Sequence, residues 1–320
     1  MRIVSLYYLF FVLFISCDKG ELAVLPYDRG GQIINSVEMG EDYGKQIFFK
    51  LSSNSIVSEN LKSSWDLGFE ASDLGWRIFL NSSKLSSCWK ISNTPFESSI
   101  DLSNAIWKWD SPDGNLDSTA IGDYRNQDIF FIIDRGFTSS GAHSGYKKIK
   151  FESVSDNGYM VRYANLDNTQ DTTIWIEKNL QLNQVCFSFT ENKLINIEPN
   201  KLDWDLLFTQ YTNIFYNPTI PYLVTGVLIN TNYVAVALDT VNLFSEINYE
   251  MVADYEFTQF KNSIGYSWKY YNFNTQLYTI ETQKNYIIRD EQGRYFKLHF
   301  IDFYNDMGIK GSPKFEFKEL

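Results

Sequence analysis

One pattern of apolar and aromatic residues occurs twice along this chain of 320 residues, in the same order. A segment that begins with Gln (QIFFKL, residues 46–51) precedes a Trp-Asp segment (WDLGF, residues 65–69). The same pair returns as QVCFSF at residues 184–189 and WDLLF at residues 204–208. Self-similarity of this kind indicates two related structural units, and it constrains the fold more than any single motif does.

A second pair of segments extends the repeat. FIID and YKKIKF, at residues 131–134 and 146–151, return as YIIR and YFKLHF at residues 286–289 and 295–300. Order and spacing therefore agree between the two copies, and the polar segment at residues 165–171 forms a natural joint between them.

The repeat and the start of the chain together predict four segments. Residues 1–16 are predicted to be a lipoprotein signal peptide and residues 17–30 a lipid-anchored tether. Residues 31–170 form a first, diverged unit, and residues 171–320 form a second unit of the same design.

Each repeated segment has the period of a β-strand. Ile47, Phe49 and Leu51 fall on one face of the first segment, because successive side chains of a strand point to opposite faces. Aromatic residues make up 17% of the chain, and they pack well on pleated sheets. We therefore expect an all-β, mostly antiparallel fold with few short helices, the best helical candidate being residues 238–260.

The N-terminal segment resembles a bacterial lipoprotein signal. Arg2 precedes an apolar run from Ile3 to Ile15, and Ser16 leads to Cys17. The run is too short to span a bilayer. The resemblance to a lipobox implies that Cys17 carries the lipid, and the charged residues 18–21 resemble a surface-export signal. We expect a protein anchored to the outer membrane and exposed at the cell surface.

Charge and motif content argue against several functions. The formal net charge is −11, and no Lys- or Arg-rich run offers a surface to a phosphate backbone, so nucleic acid is not an expected partner. The segment at residues 141–145 (GAHSG) has His where a nucleophile elbow has Ser, and no phosphate-binding Gly loop occurs. We expect a binding protein, not an enzyme, with no structural zinc or calcium site.

The repeated segments, the closing stretch at residues 286–300 and the KGSPKFEF segment at residues 310–317 resemble the HmuY-like lipoproteins of Bacteroidota. The match is fuller in the second copy. The resemblance implies haem or porphyrin capture for iron acquisition, with the haem passed to an outer-membrane receptor. It also implies that His or Met side chains hold the iron from both sides.

The candidate axial ligands are few, because the chain has only two His. His143 lies in a Gly/Ser-rich loop, from which an imidazole can reach an iron. His299 occupies a strand position in phase with Lys297, on a face that we expect to point to solvent. Thioether candidates complete the set: Met160, Met251 and Met307.

A rival interpretation is a glycan- or protein-binding surface lipoprotein that has lost haem. It starts from the indoles of the first half, since exposed Trp rings can stack on sugars. The alternative role for these rings is closure of the core, which suits the average burial of Trp. The residues concerned are Trp76, Trp89, Trp107 and Trp109.

Overall fold

The computed structural model describes residues 29–320, so the predicted signal peptide, Cys17 and most of the tether lie outside the described residues. Within this range the chain forms twenty strands: β1 (Ile33–Ser36), β2 (Lys45–Lys50), β3 (Ser55–Leu61), β4 (Leu67–Glu70), β5 (Ile78–Leu80), β6 (Ser87–Ser92), β7 (Ile129–Asp134), β8 (Tyr146–Val154), β9 (Gly158–Ala164), β10 (Thr172–Glu177), β11 (Gln184–Ser188), β12 (Lys193–Ile195), β13 (Leu206–Phe215), β14 (Ile220–Ile229), β15 (Ala235–Asp239), β16 (Lys269–Asn272), β17 (Leu277–Ile280), β18 (Asn285–Arg289), β19 (Tyr295–Tyr304) and β20 (Lys310–Glu319).

The helices among the described residues are short 3₁₀ segments. They span Lys62–Ser64, Ser82–Lys84, Leu102–Asn104, Leu116–Ser118 and Tyr249–Asp254. The last one lies within the predicted helical region, although β15 occupies the start of that region. The predicted all-β, mostly antiparallel class is confirmed. Over residues 29–320, no helix is long and apolar enough to cross a bilayer.

The strands group into two packing units whose boundaries differ from those of the sequence repeat. Strands β4 to β12 build one unit from two sheets, ordered β10-β9-β8-β7-β6 and β12-β11-β4-β5. The second unit contains the sheets β1-β20-β19-β18-β15 and β14-β13-β2-β3, with the β16-β17 hairpin. The first unit, called here the inserted unit, is thus placed between β3 and β13 of the second, the outer unit.

The predicted joint at residues 165–171 lies inside the inserted unit. It connects β9 to β10, and these strands pair along their length, with Thr172 opposite Tyr163. The division into residues 31–170 and 171–320 therefore describes the sequence repeat, whereas the packing units are β4 to β12 and the remaining strands. The two divisions differ because the two copies of the repeat exchange strands.

The exchange joins each Gln-initiated strand to the Trp-Asp strand of the other copy. Strand β2 pairs with β13, and β11 pairs with β4. The backbone N–H of Leu51, just after β2, donates to Oδ2 of Asp205 at 2.8 Å. The N–H of Phe189, just after β11, donates to Oδ2 of Asp66, also at 2.8 Å. Each of the two repeated Asp residues thus has a structural role, because its carboxylate accepts a backbone N–H from the other copy.

Two asparagines repeat a second set of contacts. The side-chain amide of Asn81 donates to the carbonyl oxygens of Lys62 and Trp65, both at 2.8 Å. Asn230 donates in the same way to Lys201, at 2.8 Å, and to Trp204, at 3.0 Å. Each asparagine thereby closes the turn before its Trp-Asp strand. Neither asparagine belongs to the repeated sequence motifs, so the motifs alone did not indicate this second set of contacts.

Each unit encloses its own aromatic core, and a third cluster joins them. The outer core includes Phe49, Phe208 and Phe315, whereas the inserted core includes Phe69 and Phe151. The side chains shared between the units form the third cluster: Phe48, Trp65, Cys186, Ile197, Trp204, Leu207, Tyr211, Val224 and Leu228. Alternate residues of β2 thus serve both sides, since Phe48 faces the junction and Phe49 faces the outer core.

Candidate functional site

The loop between β7 and β8 positions His143 in a tight, hydrogen-bonded turn. Gly136, Gly141 and Gly145 adopt positive φ angles of 65°, 82° and 81°, which side-chain-bearing residues rarely adopt. An isolated antiparallel bridge joins Phe137 to His143 across the loop. The imidazole is therefore held in place by the backbone around it.

Both ring nitrogens of His143 have partners, but of unequal quality. Nε2 lies 2.8 Å from Oδ1 of Asp134. Nδ1 accepts from the backbone N–H of Gly145 at 3.3 Å, which is long for such a bond. Because Nδ1 accepts, the neutral ring carries its proton on Nε2 and donates it to Asp134. Metal-binding histidines have the same pattern, with one nitrogen on a carboxylate and the other available to the metal.

Aromatic rings surround this imidazole. The centroids of Phe137 and Tyr146 lie 5.3 Å and 4.9 Å from that of His143. Trp107 stacks on the far side of Tyr146, at 5.8 Å and an interplanar angle of 22°. These four rings are called here the imidazole cluster. Phe137 is 40% exposed and the His143 side chain 32%, so the cluster reaches the surface.

His299 lies in a different environment from the one its sequence pattern predicts. The prediction that the face of Lys297 and His299 points to solvent is wrong, because the segment after β15 covers it. Lys297 donates Nζ hydrogen bonds to the carbonyl oxygens of Phe244 and Ile247, at 2.6 Å and 2.8 Å. Phe244 stacks on the imidazole of His299 at 4.0 Å and 7°, and Nε2 lies 2.9 Å from Oε2 of Glu316.

The remaining candidate ligands lie on separate elements. Met160 is in β9 opposite Trp175, Met251 is in the Tyr249–Asp254 3₁₀ helix, and Met307 is exposed in the β19–β20 turn. No hydrogen bond or ring contact within residues 29–320 joins any two of the candidate ligands. A pair that holds an iron from both sides therefore stays a prediction.

The four Trp rings proposed as sugar platforms are mostly covered. Trp89 and Trp107 pack against a small core that includes Phe130 and Ile132. Trp76 lies under the guanidinium groups of Arg77 and Arg125, at 4.8 Å and 3.9 Å. These contacts fit the role of core closure.

A second site, which sequence reasoning missed, is a cavity of about 300 Å³ at the junction of the two units. Trp65 and Trp204, the two repeated tryptophans, both line it. The recurrence of these tryptophans in both copies of the repeat was the sequence feature that could have indicated a shared site. Only the strand exchange brings the two side chains together. The lining includes neither His nor Met.

Four charged side chains line this cavity: Glu70, Asp110, Glu198 and Lys261. Burial raises the pKa of Glu198 to about 7, against hydrogen bonds from Gln184, Asn183 and Trp204 that lower it. Burial also raises the pKa of Asp110 to about 6, and it lowers the pKa of Lys261. The cavity thus offers one cation, three carboxyls, two of them of weakened acidity, and aromatic walls.

The comparisons with known proteins assign the chain to a family. The family model described as HmuY protein matches residues 42–317, which is most of the chain. The chain belongs to the HmuY family. One match spans both copies of the repeat in this HmuY-family chain, so the tandem of two family units stays a prediction. No curated protein matches the sequence.

Solved structures similar to this HmuY-family chain are distant in sequence. Apo PinO from Porphyromonas gingivitis is 9% identical, with a TM-score of 0.30, over 91% of this chain and 98% of PinO. The apo HmuY analog of Tannerella forsythia is 10% identical, with a TM-score of 0.33, over 92% of this chain and 98% of the analog.

Proposed function

We propose that the protein is a non-catalytic surface lipoprotein that captures haem or a related porphyrin as cargo and presents it to an outer-membrane receptor for iron acquisition. Cys17 would carry the lipid that anchors it to the outer membrane. Membership of the HmuY family supports the ligand class. The observation that carries the proposal is the Asp134-held imidazole of His143 among exposed aromatic rings.

The geometry of the imidazole cluster suits a planar, apolar ligand with a metal at its centre. The Asp134 carboxylate fixes Nε2–H and increases the electron density of the ring, which strengthens Nδ1 as a donor to iron. Only the long bond from Gly145 would have to break. Phe137 and Tyr146 offer ring surface to the porphyrin, and the cluster is reached without opening either core.

His143 is preferred over the other candidates on the basis of access. His299 is covered by Phe244, so a porphyrin could approach it only if the segment after β15 moved. Met160 and Met251 are half-buried at some distance along the chain from the cluster and remain lower-ranked proposals for the second axial position.

The test is a haem titration of protein that begins at residue 18, followed through the Soret and Q bands in both oxidation states. We expect a saturable spectrum that His143→Ala weakens strongly. His299→Ala serves as the matched control and should leave the spectrum unchanged. Sharp low-spin bands would indicate a second strong ligand, and Met160→Leu and Met251→Leu would then identify it.

A featureless absorbance rise that does not saturate would overturn haem capture. Equal binding by wild type and His143→Ala would instead retain haem capture and remove His143 from the site.

A further inference from the structure

The cavity at the junction of the two units contains a cation without a partner. Lys261 lines the cavity, and its Nζ atom has no hydrogen bond or ion pair within the described part of the chain. The buried lysines behave differently, since each of them donates to at least one oxygen: Lys50, Lys62, Lys84, Lys147, Lys148, Lys178, Lys269 and Lys297.

The backbone of Lys261 is fixed by contacts to both units. Its N–H donates to the carbonyl oxygen of Asp113 at 2.7 Å, and its carbonyl oxygen accepts from Ile229 at 2.9 Å. Gly114 packs so closely that a Cβ at that position would lie 2.8 Å from Cβ of Lys261. The backbone and Cβ of Lys261 are thus held in place where the two units meet.

The carboxyl groups that face Lys261 are engaged elsewhere. Asp110 accepts the backbone N–H groups of Leu80 and Ala120, at 2.7 Å and 2.8 Å. Glu198 accepts from the N–H of Gln184 and the indole of Trp204, both at 3.2 Å. Neither carboxyl comes within the 4.0 Å of Nζ that defines an ion pair. Lys261 is half-buried, so its ammonium group is left to pair with an anionic occupant of the cavity.

The apolar walls define the rest of that occupant. Phe48, Trp65, Trp204 and Leu228 line the cavity. A volume of about 300 Å³ is at the lower end of ligand pockets and suits a compact molecule. Asn232 lies at the rim and is exposed, which leaves a route from solvent.

We propose that this cavity binds a small aromatic carboxylate, with the carboxylate paired to Lys261 and the ring against Trp65 and Trp204. A neutral sugar would leave the ammonium group without a counter-charge. The site is separate from the imidazole cluster, so it exists whether or not the protein binds haem.

The experiment uses haem-free protein from residue 18 on and three matched pairs of probes: benzoate, phenylacetate and 3-phenylpropanoate, each with the corresponding alcohol. Binding is followed by calorimetry and by Trp fluorescence. We expect at least one acid to saturate, with a Kd at least tenfold lower than that of its alcohol. Lys261→Met should remove this preference, whereas Lys193→Met, at an exposed lysine, should keep it.

Three results would overturn the proposal: no acid saturates, the alcohols bind as tightly as the acids, or Lys261→Met retains the preference. The comparison of acid with alcohol in wild type decides the question even if Lys261→Met fails to fold. Asn232→Trp locates the site independently, because the bulky ring on the exposed rim should weaken the bound acid at least fivefold. An unchanged affinity in that variant would place the acid elsewhere and contradict the proposal.

Discussion

Nε2 of His143 lies 2.8 Å from Oδ1 of Asp134, at the end of β7. This contact determines which imidazole nitrogen can face a metal. Asp134 also accepts the N–H of Gly136 at 2.9 Å, so one carboxylate supports both the ring and its loop.

Replacing the Asp134 carboxylate should therefore weaken haem binding while the His143 imidazole is retained. We expect Asp134→Asn to weaken haem binding about 10-fold or more, because an amide polarises the imidazole less than a carboxylate does. Asp128→Asn is the matched control, since that side chain is 96% exposed and pairs with Lys150. The Soret titration measures both. Equal affinities in the two variants would contradict a role for Asp134 in positioning His143.

The junction cavity predicts a pH-dependent stability. The pKa of Glu198 is raised to about 7 in the folded protein, against about 4.3 in an unfolded chain. The folded state then binds more protons between these values, so this group contributes stability below pH ~4.3 that is lost as the pH rises through ~7. A difference of this size corresponds to about 4 kcal/mol.

The variant Glu198→Gln should remove that dependence. From about pH 4.5 to about pH 7.5, the free energy of unfolding of wild type should fall relative to that of the variant, as measured by urea denaturation. Glu177→Gln, on the exposed side of β10, is the control and should follow wild type. Parallel curves for wild type and Glu198→Gln would show that Glu198 titrates normally.

The paired asparagines predict two similar losses of stability. Asn81→Ala and Asn230→Ala each remove two bonds to backbone carbonyls in a buried turn. We expect each to lower the free energy of unfolding by about 2–3 kcal/mol, because the carbonyl groups are left unpaired. Asn104→Ala, at an exposed position, should change it by less than about 0.5 kcal/mol. A loss in only one of the two turns would argue against their equivalence.

The packing units predict which fragments fold. A fragment of residues 64–199 contains every strand of the inserted unit, so we expect a cooperative thermal transition by circular dichroism. A fragment of residues 31–170, of nearly the same length, has β4 without β11 and β2 without β13. It should remain without fixed tertiary structure. The reverse result would mean that the sequence halves, not the packing units, are autonomous.

The sequence predicted the strands, the class and the family well, because these follow from local periodicity and short motifs. The sequence did not predict the strand exchange, because no local residue pattern indicates whether β2 pairs within its own copy or with β13. The same limit explains His299. The alternation of side chains along β19 placed His299 on the same face as Lys297, but only the tertiary structure shows that Phe244 covers that face.

The candidate sites differ in how far they could be predicted. His143 was identified because a histidine in a Gly-rich loop is recognisable by itself, although its partner Asp134 was not. The junction cavity could not be found, because Lys261 lies in neither repeated motif and Asp110 resembles ordinary turn chemistry. These residues acquire their roles only when the two units meet.

The insertion also affects the order in which the chain can fold. Asp205 contacts Leu51 across 154 residues of sequence, and closing a loop of that length before other contacts form is slow. Strands β4 and β12 belong to one sheet, so a folded inserted unit shortens this loop by bringing its own ends together. We expect the inserted unit to act as a nucleus, after which the outer strands find each other over a much shorter path. During synthesis, β1 to β3 must therefore wait, unpaired with the rest of their unit, until most of the chain has followed them.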